Sequence, residues 1–89
     1  MSRWLSFEYC RRRFQVEIVP EGAYWRAYAA EQQDGRYLDN GKQTSLYSQP
    51  HRAASAMVAA LVAMVDLDNE AAERQASRES NRAKGVARV

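Results

Sequence analysis

The sequence predicts an α+β fold in which a small antiparallel sheet of three to four strands packs on one long C-terminal helix. Three observations lead to this prediction. Apolar and polar residues alternate in the first half of the chain, turn-forming pairs such as Asp34-Gly35 separate the alternating segments, and an apolar helical segment follows. With 89 residues the chain has the length of one small domain.

The most regular alternation lies over residues 13–19, where Phe14, Val16 and Ile18 share one side of an extended chain. Pro20-Glu21-Gly22 then supplies the residues of a turn. The N-terminal segment also alternates, with apolar side chains at Leu5, Phe7 and Tyr9. It is predicted to be a further strand, either joined to residues 13–19 or continuous with them.

Residues 23–32 combine aromatic residues with small ones, and this composition favours a second central strand. We expect Trp25, Ala27 and Ala29 to face the helix, because small side chains leave room for it, although the opposite assignment stays open. Beyond Asp34-Gly35, residues 36–47 form either a short third and fourth strand around Asn40-Gly41 or one strand with an irregular break.

The segment from Pro50 to Val65 is predicted to be a helix that is apolar on almost every side. Pro50 suits a first helical turn, with Ser48 or Gln49 as the cap, and Ser55 is the only polar residue after Arg52. The larger side chains predicted to meet the sheet are Met57, Val58, Leu61, Met64 and Val65. The smaller ones form a face of Ala56, Ala59, Ala60 and Ala63 that needs a cover, either the N-terminal segment or a second subunit.

After the apolar helix the residues become predominantly polar and charged. Residues 1–69 are predicted to form the single α+β domain, and residues 70–89 a polar, basic C-terminal extension that is either helical or a disordered tail. Glu70 and Arg74 are spaced to pair on a helix surface, and Gly85 is expected to end any helix.

Catalytic and metal-binding patterns are absent from the sequence. His51 is the single histidine and Cys10 the single cysteine, so neither has a partner for nucleophilic catalysis or zinc binding. Asp66, Asp68 and Glu70 alternate like the opening of a calcium loop, but Ala71 stands where its glycine is required. We therefore expect no enzyme activity, no metal and no cofactor.

The sequence also indicates the cellular compartment in which we expect the protein. One cysteine permits no internal disulfide, which fits a reducing compartment, and the longest apolar run is shorter than the roughly 20 residues that span a bilayer. The N-terminus lacks the pattern of a signal peptide. We expect a cytoplasmic protein of bacterial, plasmid or phage origin with no membrane association.

Two groups of arginines are candidates for binding nucleic acid, although the net charge is only +2. Arg11, Arg12 and Arg13 stand among aromatic residues, a combination that suits phosphates and bases of single strands. Arg74, Arg78 and Arg82 recur every four residues, which places them on one face of a helix. The alternative interpretation of both groups is a solvated surface.

A third candidate surface is the sheet face that points away from the helix. Tyr24, Arg26 and Tyr28 are expected there, together with Tyr37 or Tyr47, and tyrosine and arginine are enriched in protein interfaces. Tyrosine is also common in strands generally, so the pattern fits either interpretation.

The order of strands, hairpin and helix over residues 13–65 resembles two known layouts. One is the double-stranded-RNA-binding fold, whose basic helix start is reduced to one arginine in Gln49-Pro50-His51-Arg52. The other is the HicB-like antitoxin fold, in which a helix also follows a short polar turn, here Ser48-Gln49-Pro50. Topology alone does not imply function, and no family is assigned.

The sequence thus predicts a small non-enzymatic binding protein that acts through macromolecular contacts. Contact with a protein partner or with a second copy in a homodimer is the first hypothesis. It is motivated by the Tyr/Arg surface and by the uncovered Ala face of the helix. Nucleic-acid binding through the arginine groups is the alternative.

Overall fold

The chain folds as a four-stranded antiparallel sheet followed by one helix, which confirms the predicted fold class. A computed structural model describes the backbone of residues 1–87 and the side chains of residues 1–78. The elements are β1 (Arg3–Tyr9), β2 (Arg12–Glu21), β3 (Tyr24–Gln33), β4 (Arg36–Gln43) and α1 (Pro50–Ala87). The strands lie in chain order, each antiparallel to the next.

A two-residue turn at Cys10 and Arg11 joins β1 to β2. Both residues have positive φ, 52° and 67°, which is the backbone of a type I′ hairpin turn. The N-terminal segment is therefore a separate strand joined to β2, one of the two predicted alternatives. The turn also breaks the run of three arginines, since Arg11 lies in the turn while Arg12 and Arg13 belong to β2.

The strand β4 is one strand with an irregular break, the second of the alternatives that the sequence left open. Its register against β3 shifts between the pairs Ala30–Asp39 and Tyr28–Gln43, which leaves extra residues on β4. Gly41 lies within this bulge at φ 76°, a conformation that costs other residues more. Asn40-Gly41 therefore makes a bulge rather than a second hairpin.

The core lies between one face of β2 and β3 and the first four turns of α1. Its buried side chains are Phe14, Val16, Ile18, Ala27, Ala29, Ala53, Met57, Leu61 and Val65. The predicted orientation of β3 is confirmed, because Ala27 and Ala29 are buried and Trp25 packs against the core. The helix contacts β2 and β3 most extensively, so the outer strands receive less of its cover.

The helix continues without a break well beyond the sheet. Its 38 residues give a length of about 57 Å, of which the residues up to Val65 account for less than half. Residues 66–78 are all exposed. The expectation that Gly85 ends the helix is wrong, since α1 runs to Ala87; a helix tolerates an internal glycine at a cost of about 1 kcal/mol.

The Ala face of the helix stays open in the described part of the chain. Ala59, Ala60 and Ala63 are exposed and Ala56 is half-buried. The N-terminal segment does not cover this face, because it pairs along β2 as an outer strand of the sheet. Of the two predicted covers, the N-terminal segment is therefore excluded for this face.

Candidate protein-binding surface

The strand faces that point away from α1 form one exposed surface, here called the outer face. Because side chains alternate along a strand, the residues between the core positions share this face. One row across the sheet runs Trp4, Glu17, Tyr28 and Gln43, and the next runs Ser6, Gln15, Ala30 and Asp39. The outer face therefore carries aromatic and acidic side chains side by side.

A groove of about 250 Å³ lies in the middle of the outer face. Trp4, Tyr28 and Tyr37 contribute its aromatic lining, and the small side chain of Ala30 leaves the space between them. Trp4 is 58% exposed and Tyr37 is 40% exposed, so much of this aromatic surface is in contact with solvent. Exposed aromatic surface that borders a groove is typical of a binding site.

Two carboxylates, Glu17 and Asp39, also line this groove. Within the described residues neither has a lysine or arginine close enough for an ion pair, although Asp39 Oδ1 accepts a hydrogen bond of 2.8 Å from the Gly41 N–H. The other acids of the four strands are paired: Glu8 lies 3.5 Å from Arg13 Nε, Glu21 lies 3.0 Å from Arg26 Nε, and Glu31 binds Arg12. The groove is therefore aromatic and negatively charged.

The predicted Tyr/Arg surface lies on the outer face, as the alternation of β3 requires. Tyr24 is 51% exposed, Tyr28 is half-buried beside the groove, and Arg26 lies between them in sequence, paired with Glu21. Tyr37 joins this surface. Tyr47 does not, because two backbone hydrogen bonds of 2.7 and 2.9 Å hold it beside Trp25, and its side chain packs on the core.

A second groove, of about 350 Å³, lies between the helix and the segment that follows β4. Ala56, Met57 and Ala60 line it from the helix, and residues 41–45 with Tyr47 line it from the other side. It holds none of the carboxylates or exposed tryptophan that distinguish the first groove. Two of the four residues of the predicted Ala face, Ala56 and Ala60, thus border a groove, while Ala59 and Ala63 lie on open helix surface.

Arg12, one of the predicted nucleic-acid contacts, is occupied by two carboxylates. Its Nε and Nη2 each donate to Glu31 at 2.7 Å, and its Nη1 donates to Asp68 at 2.8 Å. The hydrogen bonds with Glu31, and then those with Asp68, raise the pKa of Arg12 above its usual value. This network ties β2, β3 and the helix together, so the charge of Arg12 serves the fold.

The remaining arginines of the two groups differ in their surroundings. Arg11 and Arg13 are exposed at the β1–β2 turn, and Arg13 has Glu8 nearby. On the helix, Arg74 pairs with Glu70 at 3.3 Å, as the spacing predicts, and Arg78 is exposed. The side chain of Arg82 lies outside the described residues. The turn and the projecting helix are not brought together into one patch by any contact of the described side chains.

The acids at the end of the apolar helix hold the helix to the sheet. Tyr9 Oη donates a hydrogen bond of 2.8 Å to Asp66, and this bond raises the pKa of the Tyr9 phenol. Asp68 meets Arg12 as described above. Asp66 and Asp68 thus have a structural role that the sequence pattern did not indicate, because Tyr9 and Arg12 lie opposite them only in the folded chain.

Replacing Arg12 by lysine is expected to lower the free energy of unfolding by about 1–2 kcal/mol. A lysine keeps the charge but cannot donate two parallel hydrogen bonds to Glu31, whose side chain is only 16% exposed. Urea unfolding measures the loss. Arg13→Lys is the matched control, because that side chain is 62% exposed and its ion pair is long, so we expect almost no change there. Equal effects of the two substitutions would contradict a structural role for the Arg12 network.

The single histidine and the single cysteine are both exposed to solvent. His51 is exposed in the first turn of α1, and Cys10 is an exposed free thiol in the β1–β2 turn. Among the residues that the structure describes, no cluster of three or more His, Cys, Asp or Glu side chains is arranged to hold a metal ion. Over the same part of the chain, no helix is long and apolar enough to cross a membrane.

Sequence reasoning did not find the groove. It did not single out Trp4, Glu17 or Asp39 as site residues. The alternation of Trp4, Ser6 and Glu8 against Leu5, Phe7 and Tyr9 was the available signal for which face Trp4 occupies. Comparison with protein-family models, with curated proteins and with solved structures returned no match to this chain, so the function is argued from this surface.

Proposed function

We propose that this chain is a small non-enzymatic protein-binding module that receives a basic side chain of its partner in the groove of the outer face. The observation that supports this proposal is the chemistry of the groove, where aromatic side chains and two carboxylates without ion pairs line the same space. Aromatic faces attract cations, and carboxylates hydrogen-bond to ammonium and guanidinium groups.

The size of the groove suits a side chain. A volume near 250 Å³ lies below the range of typical small-molecule pockets, and the groove is open along the sheet surface. An arginine or lysine side chain that projects from a folded or extended partner fits this volume. The neighbouring Tyr24 and Arg26 extend the contact area beyond the groove, as a protein interface requires.

Nucleic-acid binding has less support on this face. The carboxylates of Glu17 and Asp39 repel phosphates, and the charge of Arg12 is already taken by Glu31 and Asp68. Arg11 and Arg13 remain exposed at the turn, so the alternative is tested in the same experiment.

The test is an NMR titration of the isotope-labelled protein with N-acetyl-arginine amide and N-acetyl-lysine amide, up to about 50 mM because single side chains bind weakly. We expect the Trp4 indole N–H and the Ala30 amide signals to shift with both cations. The uncharged analogue N-acetyl-citrulline amide should shift them far less, because it lacks the charge that the carboxylates recognise.

Two matched substitutions test whether these signal shifts arise from binding in the groove. Ala30→Leu fills the groove of the outer face and is expected to reduce the shifts at least tenfold, whereas Ala60→Leu fills the second groove and should leave them unchanged. Absence of shifts in the unmodified protein would overturn the proposal. Salt-sensitive shifts at Arg11 and Arg13 with an oligothymidine probe, and none with the amino-acid amides, would favour nucleic-acid binding instead.

A further inference from the structure

The edge of the sheet at β1 is open and regular over its whole length. All seven residues from Arg3 to Tyr9 pair with β2 without a bulge, and the strand contains no proline or lysine; its charged residues, Arg3 and Glu8, lie near its ends. Natural edge strands are normally protected against further pairing by such features. The opposite edge, β4, carries two of them, because its register is broken at the bulge around Gly41 and it contains Lys42. The two edges therefore differ in how readily they accept another strand.

The turn geometry fixes which groups of β1 point outward. In a two-residue type I′ hairpin the flanking residues, here Tyr9 and Arg12, form a hydrogen-bonded pair. Bonded and non-bonded pairs alternate along the strands, so the odd-numbered residues of β1 bond to β2. The N–H and C=O groups of Trp4, Ser6 and Glu8 consequently point away from the sheet and have no strand to pair with in the described chain.

The inner side chains of β1 are also incompletely covered. Leu5, Phe7 and Tyr9 pack against the edge of the core but are only half-buried, because α1 lies over β2 and β3. Phe7 stacks on Phe14 with ring centroids 5.3 Å apart, which leaves its other side toward the open edge. Any strand added beside β1 would bury these side chains further.

We infer that β1 of one copy pairs antiparallel with β1 of a second copy, about a twofold axis at Ser6, to form a homodimer with a continuous eight-stranded sheet. Only registers that pair even residues with even residues keep both helices on the same side of the sheet and use the outward groups. Among them, the register centred on Ser6 uses the whole strand.

The central positions of this register oppose side chains that can pack together. At the axis Ser6 lies opposite Ser6 of the second copy, and these small uncharged side chains allow the two strands to approach. On the inner side Leu5 lies opposite Phe7 of the second copy, which pairs apolar with apolar. On the outer side Trp4 lies opposite Glu8 of the second copy. Two-fold symmetry repeats each contact, as expected of an isologous interface.

The dimer and the proposed groove function can fail separately. Trp4 of β1 borders both the groove and the new strand pair, but the other lining residues of the groove lie on β2, β3 and β4. Each copy therefore carries a complete groove of its own on the outer face. Failure of the amino-acid amides to bind would leave the dimer untouched, and a monomeric protein would leave the groove untouched.

Sedimentation equilibrium from about 10 to 500 µM is the first measurement, since a strand pair with a small apolar contribution fits an interface at the low end of the stable range. We expect a monomer–dimer equilibrium within this range. Ser6→Pro removes an outward N–H while keeping every bond of β1 to β2, and it should raise the dissociation constant at least tenfold. Gln43→Pro at the other edge is the matched control and should leave dimerisation unchanged. Circular dichroism of both variants checks that they fold.

Cysteine cross-linking tests the register itself, with Cys10→Ser as the background. Ser6→Cys should form a disulfide-linked dimer under mild oxidation, because paired residues at the axis stand about 5.5 Å apart between Cα atoms. Glu8→Cys should not, since it lies opposite Trp4, and Ser55→Cys on the exposed helix surface measures random collision. A monomer at every concentration overturns the inference, and so does a dimer that survives Ser6→Pro or that cross-links at Ser55 as readily as at Ser6.

Discussion

Replacing Leu61 by alanine is expected to lower the free energy of unfolding by about 3–5 kcal/mol, the largest effect of any single substitution discussed for this protein. Leu61 is fully buried at the centre of the contact between α1 and the sheet. Truncation removes apolar contacts and leaves a cavity that the rigid sheet cannot close. A domain of this size has a total stability of roughly 4–13 kcal/mol, so a loss of this magnitude removes a large part of it.

Leu67→Ala provides the matched control on the same helix. Leu67 lies six residues later and is 62% exposed, beyond the edge of the core. The same change in side chain should therefore shift stability by no more than about 0.5 kcal/mol. Urea unfolding followed by circular dichroism compares the two variants directly. Similar losses at both positions would mean that the helix beyond Val65 is packed against something that the fold does not reveal.

Replacing Ala29 by leucine is expected to destabilise the fold by about 1–3 kcal/mol or more for the opposite reason. Ala29 is 3% exposed beneath the helix, and together with Ala27 it sets how closely α1 approaches β3. Three additional carbon atoms at this position must push the helix away from the sheet, which also loosens the packing of Leu61 and Val65.

Ala30→Leu is the control for this substitution, because Ala30 is the next residue on the same strand and points to the outer face. The added carbons enter the open groove and should cost little stability, while they block the proposed binding site. Thermal unfolding compares the stability of the Ala29→Leu and Ala30→Leu variants. If Ala30→Leu were the more damaging variant, the assignment of the inner and outer faces of β3 would be wrong.

The order and type of the elements could be predicted from the sequence because both depend on local patterns. The period of two in β2, the turn pair Asp34-Gly35 and the apolar helix after Pro50 each act over a few residues. The small residues Ala27 and Ala29 even indicated which face of β3 the helix covers. The ends of the elements were harder to predict, because neighbouring structure outweighs the preference of single residues. The helix α1 continues past Gly85, and Asn40-Gly41 forms a bulge instead of a hairpin turn.

The candidate site was predicted only in part. Tyr24, Arg26 and Tyr28 could be placed on one face from the alternation of a single strand. The groove needed Trp4 from β1 and Asp39 from β4, residues that are far apart in sequence and meet only through strand order and register. No local pattern contains that information, since a shift of two residues in either pairing would keep every alternation and still move these side chains apart.

For the arginines, too, the sequence gives the charge but only the fold gives its partners. The sequence establishes that positive charge is concentrated at Arg11-Arg12-Arg13, but it does not determine which of these charges remain free. In the folded chain Arg12 is held by Glu31 and Asp68, and Arg13 stands near Glu8. These partners come from three different elements.

By itself, then, the sequence determined the fold class, the residues of the Ala face and all but one of the five large side chains predicted to meet the sheet, Val58 being outside the core. Those properties follow from periodicity, which each segment carries in its own residues. The tertiary structure decided that β1 is an open edge, that the N-terminal segment leaves the Ala face bare, and that aromatic and acidic side chains of different strands share one groove. Such features arise only when segments distant in sequence are aligned by the backbone hydrogen bonds of the sheet.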